Sequence, residues 1–156
     1  MNRHIVNVAE RNRYHAWPLH DASRTRVMEQ LWLDALPKHT LMRRAGQSTA
    51  QLALAIAPHA QQIWIACGPG NNGGDGLEAA IQLQAWGKKV AVTWAGDPHQ
   101  APGDTRNAWQ RAKQHKVQFL DNPPSAFDLG IDALLGLGCN RMPNETMLLW
   151  LKTLHA

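Results

Sequence analysis

Cysteine is scarce: the 156-residue chain has two, Cys67 and Cys139. They lack CxxC spacing, which excludes a disulfide-stapled scaffold and a zinc-ribbon ligand set. Two reduced thiols point to a cytoplasmic protein. Long apolar runs are missing too. None approaches the roughly 20 residues a helix needs to cross a bilayer, so a membrane is not an expected partner. The N-terminal segment lacks the apolar stretch of a secretory signal. It is also poor in acids, because Arg3, Arg11, Arg13, Arg24 and Arg26 face only Glu10 and Asp21. That imbalance feeds a formal net charge of +4. The charge favours anionic ligands weakly. Nucleic acid is not an expected partner, since basic residues are scattered and no basic-aromatic platform recurs. There is no internal repeat and no low-complexity tract. The chain does have the means to build a core: 44% hydrophobic and 18% charged residues fit a single globular domain.

Residues 1–22 show no clear periodicity and carry Trp17-Pro18, so they are expected to form a loose extension before a domain spanning 23–156. Ser23 is a candidate cap for a first helix, with Val27, Leu31 and Trp32 on one face and Leu36-Pro37 ending it. A second helix over about 40–57 places Leu41, Ala45, Thr49, Leu52 and Ile56 on one stripe, and His39 at its start. Strands and helices then alternate. Strands are expected at 63–67, 90–94, 117–120 and 129–135. Helices are expected at 75–86, closed by Gly87, at 102–115, and from 144 onward. Short links between them predict an α/β fold with a mainly parallel sheet covered on both faces. Trp64 and Trp94 are expected in the core, and Trp86 and Trp109 should pack helices onto the sheet.

The run Cys67-Gly68-Pro69-Gly70-Asn71-Asn72-Gly73-Gly74-Asp75-Gly76 stands between an expected strand and an expected helix. Five glycines allow close approach of backbone to a ligand. The helix start presents bare N–H groups and the positive end of a dipole, a site suited to phosphate. Gly68-x-Gly70-x-x-Gly73 fits a dinucleotide pattern whose spacing alone is weak, and no Gly-Lys-Ser/Thr follows, which excludes a Walker loop. Asp97 stands where a ribose-binding acid would be sought, but Gly96-Asp97-Pro98 is better read as a turn. Cys67 reads as a small buried strand-end residue. Asp132 interrupts an apolar strand. Either it accepts backbone N–H groups or caps a helix, or it shares a cation with Asn72 through hard oxygen donors.

The ten-residue run closely resembles the signature loop of the NAD(P)H-hydrate epimerases, the YjeF N-terminal domain family. The resemblance extends to Leu41-Met42-x-x-Ala45-Gly46 and to Ile131-Asp132-Ala133-Leu134-Leu135-Gly136, and covers roughly residues 23–156. It implies a Rossmann-like three-layer α/β/α sandwich preceded by two helices. It implies hydrated NADH or NADPH as the small-molecule substrate, and interconversion of the R and S epimers in nucleotide repair. Functional coupling to an ADP- or ATP-dependent NAD(P)H-hydrate dehydratase goes with it, and homodimers are usual in the family. Substrate-binding residues would be Asn71, Asn72, Gly73, Gly74 and Asp75, with a second segment of Gly136, Leu137, Gly138, Cys139, Asn140, Arg141 and Met142. Asn72 and Asp132 would bind one potassium ion (K+) per subunit. The epimerised carbon bears a hydroxyl next to nitrogen, and its inversion needs acid–base help and no redox partner.

The family pattern continues with another strand and a Val-Asp-x-Pro-Ser-Gly segment that serves substrate and potassium. No counterpart occurs in residues 1–156. The resemblance therefore assigns no catalytic residue here, reads the domain as incomplete at its C-terminal end, and predicts weak or absent turnover. Two alternatives stand beside the epimerase: a non-catalytic nucleotide-binding or protein-interaction module of the same fold, and an NAD(P)-dependent oxidoreductase domain. The doubled asparagines do not suit the latter.

Overall fold

In the computed structural model, which describes residues 21–139 and 142–155, two helices precede a strand–helix alternation. Helices α1 (Ala22–Ala35) and α2 (Thr40–Ile56) lead into β1 (Gln62–Cys67), α3 (Asn71–Ala85) and β2 (Lys89–Trp94). Then come α4 (Gly103–Gln114), β3 (Gln118–Leu120), β4 (Leu129–Ala133) and α5 (Glu145–His155). The sheet order is β3-β2-β1-β4, and every pair is parallel. Central β1 sets Ile63 beside Val90 on one flank and Leu129 on the other. Past Gln62 it is wholly buried, which is why it reads as a continuous apolar run rather than an alternating one.

Successive side chains of β1 divide between two cores, as the pleat requires. Ile63, Ile65 and Cys67 join side chains of α2, α3 and α4. Trp64 and Ala66 join Met147 and Trp150 of α5 on the opposite face. Helices therefore cover both faces, giving the three-layer α/β/α sandwich that the sequence implies. The Trp64 indole donates to Thr93 Oγ1 at 3.0 Å, which satisfies its buried N–H. Residues 121–128 carry no helix and cross from β3 at one edge to β4 at the other. Asp128 ends that crossing by accepting from the backbone N–H groups of Gln61 and Gln62, at 2.8 and 2.9 Å. Those two bonds favour its ionised form and hold its carboxyl below the usual range. No described helix is long and apolar enough to cross a membrane.

Several local expectations differ from the structure. The cap of α1 is Asp21 rather than Ser23: Asp21 Oδ1 accepts from Arg24 N at 2.8 Å, and Ser23 Oγ donates to the same oxygen at 2.7 Å. On α2 the buried stripe is Met42, Gly46, Ala50 and Ala53, while Leu52 and Ile56 are 60% and 67% exposed. Close approach to α3 decides this. A Cβ at Gly46 would stand 2.3 Å from Glu78 Cβ, so the small residues, not the bulky ones, must face α3. Helix α3 starts at Asn71, four residues before the expected Asp75, and takes most of the glycine run into its first turns. Strand β4 stops at Ala133 rather than Leu135, because Leu134 N turns back to Asp132 Oδ1 at 2.9 Å. Trp86, just past α3, is 40% exposed and belongs to neither core, contrary to the expected packing role. Trp109 of α4 does pack as expected, tilted against Trp94 with ring centroids 5.8 Å apart.

One ion pair is deeply set. Glu78, in the middle of α3, is buried, and Arg111 Nη1 of α4 donates to both its carboxylate oxygens at 2.5 Å. This bond and the Ala108 and Ala112 contacts lock α4 beside α3.

Candidate functional site

The carboxyl ends of β1 and β4 meet through backbone alone. Gly68 N donates to Ala133 O at 2.9 Å, and Trp94 Nε1 donates to Gly68 O at 2.9 Å. A Cβ at Gly68 would stand 1.8 Å from Leu134 O, and one at Gly73 would stand 1.9 Å from Gly68 O. The loop from Gly68 to Gly70 is thus clamped between the exit of β4 and the first turn of α3. Gly70 caps α3 in extended conformation and offers no side-chain acceptor. The first N–H groups of α3 have neither an intrahelical partner nor a capping side chain, which leaves them for an anion.

In front of them lies a cavity of about 520 Å³. Asn71, Asn72 and Asp75 of α3 line it from below, and Gly136, Leu137, Gly138 and Cys139 line it from the segment after β4. Gly73 and Gly74 are buried beneath this floor. Asn71 Oδ1 accepts from the buried Thr105 hydroxyl of α4 at 3.2 Å, which fixes that amide. Gly136 passes close over Asn72: a Cβ there would be 3.1 Å from Asn72 Cβ. Met142 is 88% exposed and is not among the lining residues, while Asn140 and Arg141 lie outside the described residues.

Asp132 is exposed at the end of β4, contrary to the expectation of an acid sunk in an apolar strand. Its Oδ1 accepts from Leu134 N, which is one of the two open readings, and it is not among the cavity residues. Asp97 is the turn residue expected, accepting from His99 N at 2.8 Å and from Gln100 Nε2 at 3.1 Å. Burial pushes the Cys67 thiol up, so it stays protonated and unreactive. Among the described residues no group of three or more histidines, cysteines or acids is placed to hold a metal ion.

Three cavity residues come from a place the sequence reading did not search: Thr25, Arg26 and Glu29 of α1. Their spacing of one turn puts them on one helical face, but α1 also carries Ser23, Arg24, Gln30 and Asp34, so its polar residues did not single these three out. Glu29 matters for Asp75. Burial, then the charges of Glu29, Glu78 and Asp104, push the Asp75 carboxyl up to about 7. Asp104 itself takes His39 Nδ1 at 2.5 Å, which ties the start of α2 to the first turn of α4.

Between about pH 4 and 7 the folded chain holds a proton at Asp75 that the unfolded chain has released. Stability is therefore expected to fall as pH rises across that window. Asp75→Asn removes the effect: it should match the parent at pH 4 and gain about 2 kcal/mol at pH 8, allowing for solvent screening. Urea midpoints at the two pH values check this, and an equal difference at both would contradict it.

Comparison with known proteins places this chain in a family. Residues 38–155 match the family model described as YjeF-related protein N-terminus. The chain belongs to this family. An NAD(P)H-hydrate epimerase of Bordetella pertussis is 44% identical over 102 residues, which cover 65% of this chain and 45% of that protein. The bifunctional NAD(P)H-hydrate repair enzyme Nnr of Coxiella burnetii is 36% identical over 124 residues, covering 77% of this chain and 25% of that one. The Escherichia coli repair enzyme of the same name is 33% identical over 117 residues, covering 72% of this chain and 22% of its own. The chain thus spans less than half the length of these relatives. The crystal structure of yeast ynu0 superposes with a TM-score of 0.72 at 20% identity, over 85% of this chain and 62% of that one. At that identity it speaks for the family fold alone.

Proposed function

We propose that this chain is an NAD(P)H-hydrate epimerase-type domain, an isomerase that interconverts the R and S forms of hydrated NADH or NADPH. The observation that carries the reading is the uncapped start of α3 beneath a cavity walled by Asn71, Asn72, Asp75 and the 136–139 segment. The names of the Bordetella, Coxiella and E. coli relatives support the substrate. The bifunctional ones support coupling to a second repair activity, for which dehydration is the chemical reverse of hydration.

The dinucleotide's phosphates would rest on the first-turn N–H groups of α3, and the floor of buried glycine would let them approach. Thr105 holds Asn71 ready to bond the ligand. The reacting carbon carries a hydroxyl beside the ring nitrogen, and its inversion needs a proton given and a proton taken. Asp75 offers a carboxyl that exchanges its proton near neutrality in this cavity.

A potassium ion would suit the amide oxygen of Asn72 and the remaining carboxylate oxygen of Asp132, both hard donors. It would supply positive charge beside an anionic ligand. Asn72→Ala is expected to weaken nucleotide binding about tenfold and to abolish its dependence on potassium. Calorimetric titration in potassium and in tetramethylammonium buffer checks this. Unchanged affinity and unchanged potassium dependence would remove Asn72 from the ion.

Chiral separation of hydrated NADH after incubation tests the function. R/S exchange supports the epimerase, and binding without exchange assigns a non-catalytic module. Reduction of NAD with an alcohol would instead assign an oxidoreductase.

A further inference from the structure

We propose that Arg26 of α1 is the phosphate-recognising cation of this cavity and that α1 is its cover. The inference rests on the nucleotide reading above and adds a binding residue to it. Among the described residues, Arg26 is the one cationic side chain lining the cavity, which it shares with Gly70, Asn71 and Asn72 at the uncapped start of α3. The acidic lining groups among the described residues are the carboxyls of Glu29 and Asp75. Without Arg26, the charged side chains that the described residues bring to the cavity would all be acids, against a ligand that carries two or three phosphate groups. The helix N-terminus alone contributes about half a charge against them.

The guanidinium is placed for this task. Arg106 donates to backbone carbonyls and Arg111 is paired with Glu78, whereas Arg26 has no hydrogen bond or ion pair among the described residues. Glu29 is its natural partner one turn along the same helix, yet no ion pair joins them. Arg26 Nη2 instead reaches across to the segment after β4, 3.5 Å from where a Cβ of Gly138 would stand. It therefore bridges the two rims, α1 and the 136–139 segment, with its donors uncommitted. A planar fork of N–H groups in that position matches phosphate oxygens bidentately. Asp21 fixes the register of the helix that carries it.

A dinucleotide offers two phosphate sources, the diphosphate bridge and the 2′-phosphate of the NADPH form. Calorimetric titrations of the whole chain with ADP-ribose, 2′-phospho-ADP-ribose and adenosine separate them. Arg26→Ala is expected to weaken ADP-ribose about tenfold or more, and adenosine not at all. A loss confined to the 2′-phosphorylated ligand would place Arg26 on that phosphate instead, and either loss supports the assignment. Arg26→Gln, which keeps the side-chain length and helix preference, should behave the same way and guards against a disturbed α1. Lys89→Ala, an exposed cation at the opposite end of the sheet, should bind like the parent. Equal losses in Lys89→Ala would reduce the effect to overall charge and overturn the proposal. If the parent chain binds ADP-ribose and both Arg26 variants bind it equally well, Arg26 is not the recognising cation and the nucleotide reading stands. If the parent binds neither phosphorylated ligand, the nucleotide reading falls, and this inference with it.

Discussion

Gly68→Ala is expected to destabilise the domain by about 3 kcal/mol or more and to abolish nucleotide binding. The added methyl group would stand 1.8 Å from Leu134 O and 2.7 Å from its carbonyl carbon. Both are backbone atoms, so no side-chain rotation relieves the clash. Relief requires β1 and β4 to part at their carboxyl ends. That movement breaks the Gly68–Ala133 bond and pulls Gly68 O from the Trp94 indole. It also displaces the first turn of α3, because Gly73 rests on the same carbonyl. Gly70→Ala is the matched control: a Cβ there meets nothing within 4 Å, and its backbone is extended. Urea denaturation and ADP-ribose titration of the two variants give the measurement. A parent-like midpoint with binding intact in Gly68→Ala would show that the two strand ends can separate freely.

Arg111→Ala should cost about 3–5 kcal/mol and lower Tm by about 10 °C or more. Glu78 is 1% exposed and takes both its carboxylate bonds from that one guanidinium. Removing the cation strands a charge between α2, α3 and α4. The carboxylate then stays ionised at great cost or takes up a proton. Replacing both partners with apolar residues, Glu78→Leu with Arg111→Met, should recover most of the loss, because it removes the need for compensation. Thermal melts of the single and double variants decide it. A single variant within about 1 kcal/mol of the parent would mean that solvent already reaches Glu78.

The sheet was readable because β1 is apolar without interruption and each later strand is short and flanked by turn residues. Parallel pairing followed from the helices between strands. The face of α2 was not readable, since periodicity points to Leu52 and Ile56 while the packing needs Gly46 and Ala50. Hydrophobic pattern measures the reward for burial and says nothing of how near two helices come. The start of α3 was misplaced for a related reason. Gly73 and Gly74 disfavour a helix by intrinsic preference, but their contacts with Gly68 and Met42 leave no room for any side chain. The glycine run itself was legible as a phosphate site because its chemistry is local. The contribution of α1 was hidden, because Thr25, Arg26 and Glu29 reach the cavity from about 45 positions before the loop they face, and nothing in the intervening sequence announces the meeting.

Helix α3 joins two jobs in one rigid body. Its first turn presents the amides that face the cavity, and the rest of it, from Gly76 through Leu83, fills the centre of the larger core. The floor of the site therefore cannot loosen unless the domain itself opens. A ligand meets this floor with its donors already arranged, so little ordering entropy is lost there on binding. Helix α1 leaves Val27, Met28, Leu31 and Trp32 44–69% exposed, and none of its described residues joins either core. Differences in affinity between related ligands should then arise at the roof rather than at the floor, and evolution could retune what this domain selects without touching the parts that make it fold.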